Sequence, residues 1–176
     1  MDRHDFAYLR DSATLQFLDV SLPETVKLKV SQLLSQNVPM TVCRQEGLDA
    51  GQVKLAINCL VEGCKYRVAC WVAEYNIEQI TRPLSLRALL KADLQIFQRE
   101  ILSDFADKLE QRGCEVYVYG SYAYQALTRE AYVRPVSDLD MLLYPQHQND
   151  VPEILQLIQQ VQTQSSVHLD GEIQIH

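Results

Sequence analysis

The chain lacks any apolar run near the ~18 residues that a membrane-spanning helix needs. Its first residues, Met1-Asp2-Arg3-His4-Asp5, lack the basic-then-apolar order of a secretory signal. A cytoplasmic protein that makes no use of a membrane is therefore expected. Paired-cysteine spacing is missing as well. Cys43, Cys59, Cys64, Cys70 and Cys114 are odd in number, contain no CxxC and have no histidine at zinc-finger distance, which predicts reduced, structural thiols. Positive charge is scarce: 16 Lys and Arg stand against 23 Asp and Glu, a net charge of −7. Without a field of cations to replace phosphate counterions, nucleic acid is not an expected partner. Repeats, low-complexity tracts and Gly/Ser linkers are also absent, so any domain boundary must be read from a change of pattern.

What is present is a globular composition, 47% hydrophobic and 22% charged over 176 residues, enough for one domain or two small ones. The pattern changes at Thr81-Arg82-Pro83-Leu84. Before it, Ser21 is expected to cap a helix with Val26, Val30, Leu33 and Leu34 on one face, ended by Asn37-Val38-Pro39. Three β-like runs, 40–43, 53–57 and 66–72, follow, punctuated by Gly47, Gly51 and Gly63. After the boundary, Ile96, Phe97, Ile101, Leu102, Phe105 and Leu109 predict a helix over about 94–112 with Gly113 as its stop. Next come a strand at 116–119, a short helix to about 129, a strand at 139–144, a helix through Ile154, Leu155, Ile158 and Val161, and a last strand at 167–175. The expected class is α+β: residues 1–82 form a small domain of one helix and an antiparallel sheet, and residues 83–176 an α/β domain with a mixed sheet. Charge divides unevenly between them, with 9 basic and 10 acidic side chains in 1–82 against 7 and 13 in 83–176. The second half holds negative charge that suits a cation.

The chemistry concentrates in that half. An apolar strand runs into Gly120-Ser121 and then a helix, which aims backbone N–H groups and the positive end of a helix dipole at an anion. Gly120 lets the main chain approach closely and Ser121 offers a hydroxyl. Seventeen residues after the serine stand Asp138-Leu139-Asp140. Residues two apart on a strand share a face, so the two carboxylates lie side by side and repel unless a hard cation joins them. Magnesium takes carboxylate oxygens and keeps positions for water and phosphate. The last strand alternates Val167, Leu169, Gly171, Ile173 and Ile175 with His168, Asp170, Glu172, Gln174 and His176, giving one polar face. Asp170, or else Glu172, is the expected third carboxylate of a two-magnesium scheme, in which one ion acidifies the attacking hydroxyl and the other stabilises the leaving phosphate. The predicted chemistry is phosphoryl or nucleotidyl transfer.

The order strand, Gly-Ser, helix, Asp-x-Asp strand, helix, carboxylate strand resembles the nucleotidyltransferase superfamily typified by polymerase β. A narrower resemblance lies in Gly120-Ser-Tyr-Ala-Tyr-Gln-Ala-Leu-Thr-Arg-Glu-Ala-Tyr-Val-Arg-Pro-Val-Ser-Asp-Leu-Asp140. This stretch is similar to the signature of the malonate decarboxylase holo-acyl-carrier-protein synthases, or phosphoribosyl-dephospho-CoA transferases. The resemblance extends to Arg3-His4-Asp5, Arg82-Pro83-Leu84 and Leu169-Asp170-Gly171-Glu172. In that family glycine usually stands where this chain has Arg129, and the pattern continues past the last strand, so the second domain is expected to lack the family's C-terminal end. The resemblance implies a polymerase-β-like second domain and a defined reaction. The phosphoribosyl-dephospho-CoA group of 2′-(5″-triphosphoribosyl)-3′-dephospho-CoA passes to a serine of the apo acyl-carrier subunit of malonate decarboxylase, or of citrate lyase, with release of diphosphate. It implies Asp138 and Asp140 on the triphosphate's magnesium, Gly120 and Ser121 on the distal phosphates, and Asp170 favouring the serine nucleophile.

Cations should complete a triphosphate site. Arg134 is the nearest candidate, and Arg67 follows among first-half residues that include Arg44, Lys54, Lys65 and Arg82. Tyr117, Tyr119, Tyr122, Tyr124 and Tyr132 are expected mainly in the core, one of them free to stack on adenine. Because an acidic carrier would be repelled by the net charge, a local basic patch is expected for docking. Two other readings fit the same residues: a small nucleotidyltransferase that adenylylates from ATP, and a degenerate member that binds without turnover.

Overall fold

A computed structural model of the chain describes residues 1–45, 51–92, 96 and 98–175. The chain divides into two compact units, Met1–Pro83 and Leu84–His176.

The first unit is built on a six-stranded sheet in which every pairing is antiparallel, in the order β2-β5-β4-β3-β1-β6. Its strands are β1 (Phe6–Leu9), β2 (Gln16–Phe17), β3 (Met40–Val42), β4 (Gln52–Val61), β5 (Cys64–Ala73) and β6 (Ile77–Thr81). The long β4–β5 hairpin turns through two residues, Glu62 (φ 51°) and Gly63 (φ 77°). Two left-handed residues between paired Val61 and Cys64 make the turn whose twist matches that of the strands. Val53, Leu55, Ile57 and Cys59 alternate as the buried face of β4, and Val68, Cys70 and Val72 as that of β5. Helix α1 (Glu24–Ser35) packs on β4 with Val26, Val30 and Leu33 buried, each such side chain contributing about 1.5–3 kcal/mol.

The helix begins later than expected. Ser21 is no cap: its hydroxyl and its N–H both donate to Asp19 Oδ1, at 2.6 and 2.9 Å, and Pro23 starts the helix without a side-chain cap. Its end matches the sequence reading, for Asn37 is left-handed (φ 60°) and the Val38 N–H reaches back to the Leu33 carbonyl at 3.0 Å, a Schellman closure. Arg82 ties the start of the unit to its end through Asp2 (2.8 Å) and the buried Asp5 (3.2 Å).

The second unit has a four-stranded mixed sheet in the order β10-β9-β8-β7. Its strands are β7 (Leu84–Ser85), β8 (Cys114–Val118), β9 (Leu139–Pro145) and β10 (Leu169–Ile173), with β10 parallel to β9 and the others antiparallel. Helices α2 (Leu86–Lys91), α3 (Arg99–Glu110) and α5 (Val151–Gln164) contribute Leu86, Leu89, Leu102, Phe105, Leu109, Ile154, Leu157 and Val161 to one core with Leu139, Met141 and Leu143 of β9. Helix α4 (Gly120–Thr128) follows β8 directly. The helix expected over 94–112 is shorter, starting after a left-handed Gln98 (φ 55°). Ile96 is buried outside any helix, and residues 93–95 and Phe97 lie outside the described residues, as do Gly47 and His176. The last strand is also shorter than 167–175, because β10 pairs with β9 only from Leu169 to Ile173. The fold is thus α+β, with five α-helices and two sheets among the described residues. No helix among them is long and apolar enough to cross a membrane.

Candidate active site

The site is assembled where β8 gives way to α4 beside the start of β9. Leu139 and Met141 point into the core, so Asp140 between them points to the opposite sheet face. Asp138 stands exposed just ahead of the strand. The Tyr119 N–H donates to the Asp140 carbonyl at 3.1 Å, which clamps the end of β8 to β9. At that point the chain turns through Gly120, whose φ of 67° is left-handed and which opens α4.

Gly120 is required for two reasons. Only glycine takes this conformation without steric cost. A Cβ at this position would also run into the carboxylate of Asp140, meeting Oδ2 first and lying 3.0 Å from Cγ. The space a side chain would fill is taken by the carboxylate, so Asp140 lies against the first residue of a helix. The capping residue Tyr119 supplies no side-chain acceptor, and the first turn of α4 holds no acidic residue. The Tyr122 hydroxyl is pushed up from its ordinary pKa, first by burial and then by the negative charge of Asp138.

The strand carrying Asp170 and Glu172 lies directly beside β9. The parallel register sets Asp170 alongside Asp140 and Glu172 alongside Leu142, with adjacent strands ~4.8 Å apart. Close approach of the two strands depends on Gly171, since a Cβ there would collide with the Met141 carbonyl and lie 3.0 Å from its carbon. Asp170 Oδ1 accepts the N–H of Gly171 at 2.8 Å, and Glu172 Oε2 accepts from Gln174 Nε2 at 3.3 Å.

The structure therefore brings Gly120 and Asp140 together at the start of α4, with Asp138 just ahead of β9 and Asp170 on the neighbouring strand in register with Asp140. Among the described residues no group of three His, Cys, Asp or Glu side chains is close enough to hold a metal ion. The hard carboxylate oxygens of Asp138 and Asp140 are of the kind magnesium takes, and it is commonly held by one or two carboxylates with water and substrate phosphate filling the rest. Arg134 is exposed on the loop between α4 and β9, its N–H donating to Ser137 Oγ at 2.9 Å. Arg67 belongs to the first unit, on β5.

Arg129 ends α4 in a left-handed conformation (φ 60°), the position where helices most often place glycine. The aromatic cluster is mainly core: Tyr124 and Tyr132 are fully buried with ring centroids 5.9 Å apart, and Tyr122 is buried too. Tyr117 and Tyr144 meet edge to face at 5.8 Å. All five cysteines are free thiols, and Cys59, Cys70 and Cys114 are buried. Burial pushes the Cys70 thiol up to about 12, with Cys43 adding to it, and the Cys114 thiol up to about 11. Such thiols are poor nucleophiles.

The chain is similar to several known proteins. The chain is 28% identical over 175 residues to a phosphoribosyl-dephospho-CoA transferase of Xanthomonas axonopodis pv. citri (strain 306), covering 98% of this chain and 79% of that protein. It is 27% identical over 172 residues to the protein of the same name from Xanthomonas euvesicatoria pv. vesicatoria (strain 85-10), covering 97% and 78%. To that from Bradyrhizobium diazoefficiens it is 26% identical over 172 residues, covering 97% and 75%. No solved structure matches. The family model described as the phosphoribosyl-dephospho-CoA transferase MdcG C-terminal domain matches residues 85–176, the stretch that holds Gly120, both carboxylates of the Asp pair and Asp170, and the chain belongs to this family of transferase enzymes.

Proposed function

We propose that this chain transfers the phosphoribosyl-dephospho-CoA group of 2′-(5″-triphosphoribosyl)-3′-dephospho-CoA to a serine of the apo acyl-carrier subunit of malonate decarboxylase in the cytoplasm. The observation that carries the reading is the Asp140 carboxylate seated where the Cβ of Gly120 would be. That contact joins a phosphate-binding helix start to a metal-binding carboxylate, the two halves of a site for a triphosphate.

In this reading the serine Oγ attacks the α-phosphorus, the bond from that phosphorus to the β-phosphate oxygen breaks, and diphosphate leaves. Asp170 accepts the serine proton, since a carboxylate that takes the Gly171 N–H on Oδ1 keeps further acceptor positions. The first-turn N–H groups of α4 and the Ser121 hydroxyl hold the outer phosphates, and Arg134 pairs with their remaining oxygens. Asp138 and Asp140 would hold magnesium, which when bound neutralises charge on the phosphate oxygens.

The test is to incubate the protein with magnesium, the triphosphoribosyl precursor and apo carrier subunit. The expected result is a carrier mass increased by one prosthetic group and an equal amount of diphosphate. Unmodified carrier under these conditions overturns the reading. The turn of Asp170 onto its own backbone favours one other reading, a protein that binds the precursor without turnover. That reading predicts saturable binding and no diphosphate.

A further inference from the structure

We infer that the first unit carries a separate anion-binding pocket that takes the phosphates of a nucleotide-sized molecule. Its volume is 440 Å³, and it is lined by Arg3, His4, Val42, Cys43, Arg44, Lys54, Arg67 and Ala69. That falls within the ~300–1,000 Å³ of ordinary small-ligand sites. Four of these residues are cations, and no carboxylate occurs among the described residues of the lining. They come from four segments: ahead of β1, after β3, within β4 and within β5.

The sheet explains the convergence. Lys54 pairs with Trp71, Ala56 with Ala69 and Asn58 with Arg67, so these six residues share one face, opposite the one that Leu55, Ile57, Val68 and Cys70 bury. Lys54 and Arg67 thus stand on either side of an alanine rung, where Ala69 offers a floor without bulk. Lys54 Nζ lies 5.7 Å from the centre of the Trp71 ring, a cation–π contact that limits the freedom its ammonium would lose on binding an anion.

A concavity with cations around its wall concentrates positive potential inward, which suits a compact polyanion better than the broad surface of an acidic protein. Two or more phosphates would engage the guanidinium groups bidentately, leaving the ammonium as a point charge. The pocket needs no residue of the second unit, so this inference stands independently of the transferase reading.

The test uses the whole chain in EDTA, with inorganic diphosphate and ADP as probes, affinity measured by calorimetry and location by the fluorescence of Trp71, the chain's one tryptophan. The expected result is saturable binding of both probes with a change in Trp71 emission. Binding should weaken at least tenfold in the double variant Lys54→Gln/Arg67→Gln. Ala69→Leu, which fills the floor without altering charge, should weaken it equally. Asp138→Asn/Asp140→Asn should bind as the parent does. Absence of saturable binding overturns the inference, as does an unchanged affinity in Ala69→Leu or a loss confined to the aspartate variant. If a polyglutamate peptide displaces ADP while diphosphate does not, the pocket is a protein-docking surface and the inference is likewise overturned.

Discussion

The two units use glycine and charge differently, and the contrast separates what shapes a turn from what shapes a site. In the first unit Gly51 and Gly63 have left-handed backbones, but a Cβ at either would meet nothing within 4 Å. They are needed for conformation alone. In the second unit a Cβ at Gly120 would strike a carboxylate and one at Gly171 a neighbouring main chain. There the missing side chain is itself part of the architecture. Charge follows the same division: the first unit gathers Arg3, Arg44, Lys54 and Arg67 around one concavity, while the second sets Asp140 against a helix start, Asp170 beside it on the neighbouring strand and Asp138 just ahead of β9.

The sharpest way to break this comparison is through the carboxylates. Asp138→Asn or Asp140→Asn should lower carrier modification by about a thousandfold, a loss of about 4 kcal/mol of transition-state stabilisation, with the thermal midpoint retained. A mass-spectrometric rate assay beside calorimetry checks both, and a residual rate above a tenth of the parent's would place the chemistry elsewhere.

The glycines come next. Gly171→Ala forces backbone from backbone and should destabilise the protein by about 3 kcal/mol, the upper end of overpacking costs. Gly63→Ala, strained only by its left-handed backbone, should cost about 1 kcal/mol. Equal losses in urea titrations would erase the distinction between the units.

A smaller effect is expected from alkaline pH. Both buried thiols have raised pKa values, so each contributes stability fully below its ordinary value of 9.0, lost as pH rises toward about 12 for Cys70 and about 11 for Cys114. The unfolded state loses its proton first, and for Cys70 the loss is at most about 1.4 kcal/mol per pH unit. Thermal midpoints between pH 8 and pH 11 should fall, and Cys70→Val should flatten that fall more than Cys114→Val. The least effect, and the only gain, is expected from Arg129→Gly. It relieves a left-handed C-cap and should stabilise the second unit by about 0.5–1 kcal/mol, visible as a raised thermal midpoint.

Much of this was legible in the sequence because it is local. Asp140 lies between Leu139 and Met141, and a period of 2 turns it away from the core those neighbours fill, although β9 begins at Leu139 and leaves Asp138 just ahead of the strand. Gly120-Ser121 between a strand and a helix was equally legible. The parts that were missed depend on partners. Strand β1 (Phe6–Leu9) exists as a bridge between β3 and β6, and β6, Ile-Glu-Gln-Ile-Thr, is too polar to announce itself. Ser21 failed as a cap because Asp19 captured its hydroxyl. Among the first-half cations, nothing in spacing distinguished Arg82, which is bound to Asp2 and Asp5, from Arg67, which lines a pocket.

The sequence by itself determined which residues are chemically able to act: the acidic pair, the glycine before the serine, and the alternating carboxylates of the last strand. Only the tertiary structure decided which of them meet. Alternation assigns a side chain to a face but leaves its rung open, and the parallel register that sets Asp170 rather than Glu172 beside Asp140 comes from hydrogen bonding and packing between strands far apart in the chain.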